Sequence, residues 1–97
     1  MSDRIQTLHP PGRGRAHRLR RDRYDATRAA ILDVLAADGP MPLERLIERV
    51  ADRVEVGPLC TARWYVRTIK LDLEARGLIS CRLASRPQIV ALAGAPA

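Results

Sequence analysis

Turn-forming residues cut the chain at Asp38-Gly39-Pro40, Val56-Gly57-Pro58, Gly77 and Ala84-Ser85-Arg86-Pro87. Glycine reaches the left-handed conformation that ends a helix, and proline cannot carry a helix onward. Three helix-length segments and two strand-length segments remain between these points. The first helix is expected from an N-cap at Asp25 to about Ala37, with Ile31, Leu32 and Leu35 forming one buried stripe. The second opens at Pro42, where the missing N–H costs nothing, with Glu44 in its first turn to suit the helix dipole. Leu43, Leu46, Ile47, Val50 and Val54 define its inner face. Glu44, Glu48 and Asp52 alternate with Arg45, Arg49 and Arg53 outside, as on an ordinary solvated surface. The third begins between Pro58 and Thr61 and runs to Gly77 as the residue just past its end. Strands are then expected over 78–83 and 88–93, joined by the turn at 84–87.

This order gives a mainly α fold with a small β-hairpin, an α+β class. Three helices followed by a two-stranded wing is the order of a winged helix-turn-helix. Residues 24–93 form that domain, residues 94–97 a frayed tail, and residues 1–23 a flexible basic arm. The arm holds the breaker Pro10-Pro11-Gly12 and then Arg13, Arg15, Arg18, Arg20 and Arg21, and its repelling charges offer nothing to bury. An alternative for His17 to Tyr24 is an extended segment docked on the domain through Leu19 and Tyr24.

Charge is distributed unevenly. Residues 1–23 hold seven Arg against Asp3 and Asp22, a net of +5, whereas residues 24–97 hold nine Arg and Lys70 against nine acids, a net of +1. Nearly all of the formal +6 therefore belongs to the arm. A GC-rich genome also favours Arg over Lys, so the excess of charge carries the reading and the choice of arginine does not.

The third helix divides by angle at 100° per residue. With Arg63 at zero, Arg67 lies near about 40° and Lys70 near about −20°, a basic edge that Glu74 shares near about 20°. Ala62, Val66, Ile69 and Leu73 gather on one flank, and Trp64, Leu71 and Ala75 on the other. A recognition helix needs such a layout: the flanks pack on the other helices and beside the wing, and the edge enters a major groove about 12 Å wide. Arg63 and Arg67 suit guanine or phosphate, Lys70 suits phosphate, and Thr61 can cap the helix or touch the backbone. Arg82 and Arg86, near the wing, suit phosphate or the minor groove. Glu74 either repels phosphate at that depth or pairs with Lys70 at i, i+4. Trp64 is assigned to the core, with a dimer or docking face shared with Leu71 as the alternative.

The run from Thr61 to Ile79 resembles the recognition-helix-to-wing segment of bacterial winged helix-turn-helix transcriptional regulators, through Leu73, Glu74, Gly77, Leu78 and Ile79. The chain over roughly residues 20–93 is also similar to a family of short, uncharacterised bacterial proteins of this fold, through Tyr24, Arg28 to Leu32, Trp64 to Val66 and Lys70 to Gly77. The resemblance implies the fold and transfers no binding residues.

Catalysis is not expected. His9 and His17 lie in the arm, and no nucleophile–base set falls on the ordered segments. No phosphate-cradling glycine loop follows a strand. Cys60 and Cys81 lack zinc-site spacing and read as small hydrophobes in a reducing cytoplasm, so neither metal nor cofactor is expected. The first twenty residues hold no apolar signal region, and no run of about eighteen apolar residues occurs, which argues against secretion or membrane spanning. A domain this small buries only about 60–65% of its unfolded surface, so a homodimer would reinforce a thin core. The expected partner is double-stranded DNA, bound by a small transcriptional regulator or architectural factor. The alternative is a protein–protein interaction adaptor docking through Trp64 and Leu71.

Overall fold

A computed structural model of the chain describes residues 4–9, 17–54, 59–82 and 88–93. The fold is α+β, with three helices and two small antiparallel sheets. Strands β1 (Arg4–Gln6) and β2 (Arg18–Arg20) precede helix α1 (Arg21–Asp38). Strand β3 (Met41–Pro42), helix α2 (Leu43–Ala51), helix α3 (Leu59–Ala75) and strands β4 (Ile79–Arg82) and β5 (Ile89–Leu92) follow.

Gly39 and Gly77 end helices as the sequence predicts, while the breakers at 56–58 and 84–87 lie outside the described residues. Gly39 takes φ +78° and returns its N–H to the Leu35 carbonyl at 2.9 Å. At Gly77, with φ +77°, a double cap closes α3: Gly77 N–H bonds the Glu74 carbonyl at 3.1 Å and Leu78 N–H bonds the Leu73 carbonyl at 2.9 Å. These are the paired bonds that satisfy the orphan carbonyls of a helix end. The chain then turns directly into β4.

Helix α1 starts at Arg21, four residues before the expected cap at Asp25. Its buried stripe runs upstream through Tyr24 and Thr27 to join Ala30, Ile31, Val34 and Leu35, so burial of the Tyr24 ring rewards the additional turn. Asp22 supplies the negative charge in the first turn, its carboxylate accepting the Arg23 N–H at 2.8 Å. That bond, helped by Arg20, holds the Asp22 carboxyl below its usual range.

Pro42 also has a different place. It ends β3 and precedes α2 rather than opening the helix. Met41 pairs with Val90 and Pro42 with Ile89, and β4 pairs with β5 from Ile79↔Leu92 to Arg82↔Ile89. The sheet has the order β3-β5-β4, so the expected two-stranded hairpin is the larger part of a three-stranded sheet. Proline is tolerated in β3 because that strand lies at an edge, where a missing donor breaks no ladder.

Ile31, Val34, Leu46, Ile47, Val50, Val66, Ile69, Leu73, Ile79 and Val90 form the core where the three helices meet the sheet. Each such side chain contributes about 1.5–3 kcal/mol on burial. The half-buried Cys81 thiol is free and packs against this core, as a small hydrophobe would.

The described part of the expected arm is ordered. Arg4 pairs with Arg20, Ile5 with Leu19 and Gln6 with Arg18 in an antiparallel hairpin. Thr7, wholly buried, closes the ladder: its N–H bonds the His17 carbonyl at 2.8 Å and its hydroxyl accepts the His17 N–H at 2.9 Å. The alternation that exposes Arg18 and Arg20 turns Leu19 into the core, and Ile5 packs partly buried beside it. Leu19 and Tyr24 are thus the anchors anticipated for a docked segment, although from Arg21 onward that segment is helix. Repulsion among arginines does not prevent pairing here because their side chains all leave from the outer face. Residues 10–16, with Arg13 and Arg15, lie outside the described residues, as do Arg86 and residues 94–97.

Candidate nucleic-acid interface

Two opposite sides of α3 carry charge, and they differ in what surrounds them. On the inner side Asp72 is fully buried. One of its carboxylate oxygens accepts the Leu8 N–H at 2.8 Å, and the Tyr24 hydroxyl donates to the other. The Arg76 Nε–H lies 3.0 Å from both oxygens. A buried carboxylate is tolerated only when its lone pairs are filled and its charge is offset, and these three donors do both. Burial first, and then the bond to Asp72, push the Tyr24 hydroxyl up to about 12. The bond to Asp72 raises the Arg76 guanidinium above its already high value. The Leu8 bond fastens the N-terminal hairpin to α3 across 64 positions of sequence.

This cluster is absent from the sequence-based reading, which follows only the basic edge. Its signals are present nonetheless. Asp72 falls near about 180° from Arg63, opposite that edge, and Asp72 and Arg76 have the i, i+4 spacing of a helical ion pair. Nothing in the sequence points to Leu8.

Lys70 requires a correction. Expected on the exposed basic edge, it is buried, and its Nζ lies 3.0 Å from the Glu74 carboxylate, the two side chains being 5% and 8% exposed. The i, i+4 pairing foreseen as the alternative for Glu74 is the one adopted. Lys70 and Glu74, at about −20° and 20°, share the angular edge of Arg63 and Arg67 but lie in the second half of the helix, so position along α3 and not angle separates the buried pair from the exposed arginines. An ammonium already desolvated and paired is not a phosphate contact.

The outer edge consists of Arg63, Arg67 and their neighbours. Arg63 reaches across to α2 and meets the Glu44 carboxylate at 2.5 and 2.6 Å, with its side chain 40% exposed. Arg67, one turn on, is exposed and makes no ion pair with any described residue. Thr61 is half-buried at the start of the helix. Trp64, assigned from sequence to the core, is instead 42% exposed, and Leu71 beside it is half-buried. The flank of Trp64 and Leu71 is therefore surface. The second buried flank of α3 lies further round, at Thr68 and Asp72, where the N-terminal hairpin covers it. His17 from the hairpin meets the Trp64 indole with ring centroids 5.0 Å apart and planes at 74°. Tyr65 meets it at 5.4 Å and 87°.

The hairpin gives the basic segment a fixed shape. Arg4, Arg18 and Arg20 face outward on its two strands, and Arg21 and Arg23 follow on the exposed first turn of α1. Arg20 also pairs with Asp22 at 3.0 Å. Arg82 belongs to β4, its side chain lying outside the described residues. A shallow hollow elsewhere, between Asp38, Pro40 and Arg45, is bordered by the Arg49–Asp38 pair at 2.5 Å. Among the described residues no helix is long and apolar enough to cross a membrane, and no three His, Cys, Asp or Glu side chains gather as metal ligands would.

Residues 4–89 match the model of a family of unknown function (DUF6958), and the chain belongs to that family. No curated protein matches it.

Proposed function

We propose that this member of the DUF6958 family is a winged helix-turn-helix protein that binds duplex DNA, as a small transcriptional regulator or an architectural factor. The observation that carries the reading is Arg67, exposed beside Arg63 on the outward edge of α3, in a chain whose cationic excess is gathered in residues 1–23. The helix–strand–helix–helix–strand–strand order and the sheet order β3-β5-β4 are consistent with a helix held outward for a groove. With Lys70 and Glu74 withdrawn, contacts fall to the first half of α3, through Arg67, Arg63 and Thr61. Arg18 and Arg20 from the hairpin, and Arg21 from the first turn of α1, neutralise phosphates beside it.

Each phosphate neutralised steepens the log–log salt dependence of binding by about 0.9. A gel-shift titration of the full chain on duplex DNA at two salt concentrations tests this. The expected result is tight binding at low salt that weakens steeply at high salt; no shift at low salt rejects the reading.

A second reading is favoured by the exposure of Trp64. A protein-interaction adaptor would place Trp64 and Leu71 at the centre of an interface, where buried tryptophan commonly dominates the energy. Such binding would depend only weakly on salt, and Arg67→Ala would leave it nearly intact.

A further inference from the structure

We infer that the Trp64 indole is a stacking platform for an unpaired nucleic-acid base, so that the chain holds single-stranded nucleic acid at this point of its surface. The inference rests on the nucleic-acid reading and adds to it a ligand that a groove-reading helix alone would not select.

Trp64 and Leu8 are the exposed large hydrophobic side chains among the described residues, and they lie on neighbouring ground. Leu8 follows Thr7, which bonds His17, and His17 touches the indole. The two rings beside it meet it at 74° and 87°, so no described ring lies flat on the indole. Those edge contacts instead hold it in one orientation, which lowers the entropy lost when a base settles on it.

The charge around the indole favours a polyanion over an apolar protein surface. Arg67 lies one turn along α3 from Trp64 and is exposed. An aromatic face beside a guanidinium group is the combination that binds single strands, bases stacking while the backbone follows the charge. In an intact duplex the faces of the bases are already stacked on one another and are not offered to an indole.

Trp64 is also the single tryptophan of the chain, so its emission reports on this site alone. The test titrates the full chain with an oligothymidylate of about twelve nucleotides, and separately with a duplex of the same length, following tryptophan emission and the anisotropy of end-labelled DNA. The single strand is expected to quench the emission as it binds. Trp64→Ala should weaken single-strand binding about 5- to 150-fold, the range of one lost stacking contact, and should weaken duplex binding much less. Trp64→Phe should recover most of the loss, and its circular dichroism spectrum should match that of the wild type. Single-strand binding with unchanged emission, or an equal loss on both DNAs in Trp64→Ala, overturns the platform. Duplex binding without any single-strand binding also overturns it and leaves the proposed function standing. Binding to neither DNA removes both.

Discussion

The inner and outer sides of α3 are written in the same alphabet of charged side chains, yet they do opposite work. Inside, Asp72 is surrounded by Tyr24, Leu8 and Arg76, and Lys70 is paired with Glu74 at less than a tenth exposure. Outside, Arg63 shares its charge with Glu44 in water, and Arg67 points into solvent. Low dielectric makes each inner interaction strong and each missing partner expensive, while solvent screening makes the outer ones weak and exchangeable. The comparison teaches that exposure, not charge, separates the residues that hold the fold from those available to a ligand.

The two sides should therefore answer differently to mutation. The largest effect is expected at Asp72→Ala, which strands the Tyr24 hydroxyl and the Arg76 guanidinium and detaches Leu8. A loss of about 3–5 kcal/mol is expected in urea unfolding. A loss under about 1 kcal/mol would break the comparison by showing that the inner charges are as dispensable as the outer ones.

Tyr24→Phe should cost less, about 1.5–3 kcal/mol, as for a hydrogen bond to a charged acceptor. It also tests the alkaline limb. The folded hydroxyl titrates near 12 against about 10 in the unfolded chain, so the unfolded state loses its proton first as pH rises. The bonus from this group is complete below about pH 10, and about 2 kcal/mol of it is lost by pH 12. Unfolding midpoints measured from pH 9 to 12 should show this fall in the wild type and a shallower one in Tyr24→Phe.

On the outer side, Arg67→Ala should cost about 1–3 kcal/mol in DNA binding and leave the melting temperature within a degree or two. A clear fall in melting temperature would make Arg67 structural. The smallest effect is expected at Glu44→Gln. It releases Arg63 and removes a negative charge beside the proposed interface, so affinity for duplex should rise by up to about fivefold, with stability changing by under about 1 kcal/mol. Weaker binding would mean that Glu44 orients Arg63 for its contact.

Much of the architecture is legible in the chain because local chemistry specifies it. Gly39 and Gly77 end helices with their own backbone geometry, and the 3–4 spacing of Leu43, Leu46, Ile47 and Val50 marks the buried face of α2 without reference to anything distant. What the sequence leaves hidden depends on long-range contact. The hairpin of β1 and β2 exists because Leu19 and Tyr24 find the core and Leu8 finds Asp72, and no window of sequence contains those pairs. The β3 strand is two residues long and is specified only by its partner β5. The angular pattern places Arg63 and Arg67 on one edge of α3, where both side chains reach solvent. It misjudges Lys70 and Trp64, which lie on the margins of that edge. There the cover over the second half of α3, and a hairpin covering one flank rather than the other, decide which side chain meets water.

Amide chemical-shift mapping of the full chain, as a short duplex is added at low salt, tests the central claim most directly, because it reports both sides of α3 in one experiment. Shifts concentrated at Thr61, Arg63 and Arg67 and along Arg18 to Arg21, with Asp72 and the outer face of α2 at Glu48 and Asp52 little changed, are the predicted result. Shifts confined to the hollow at Arg45 and Arg49, or no shifts at all, would contradict it.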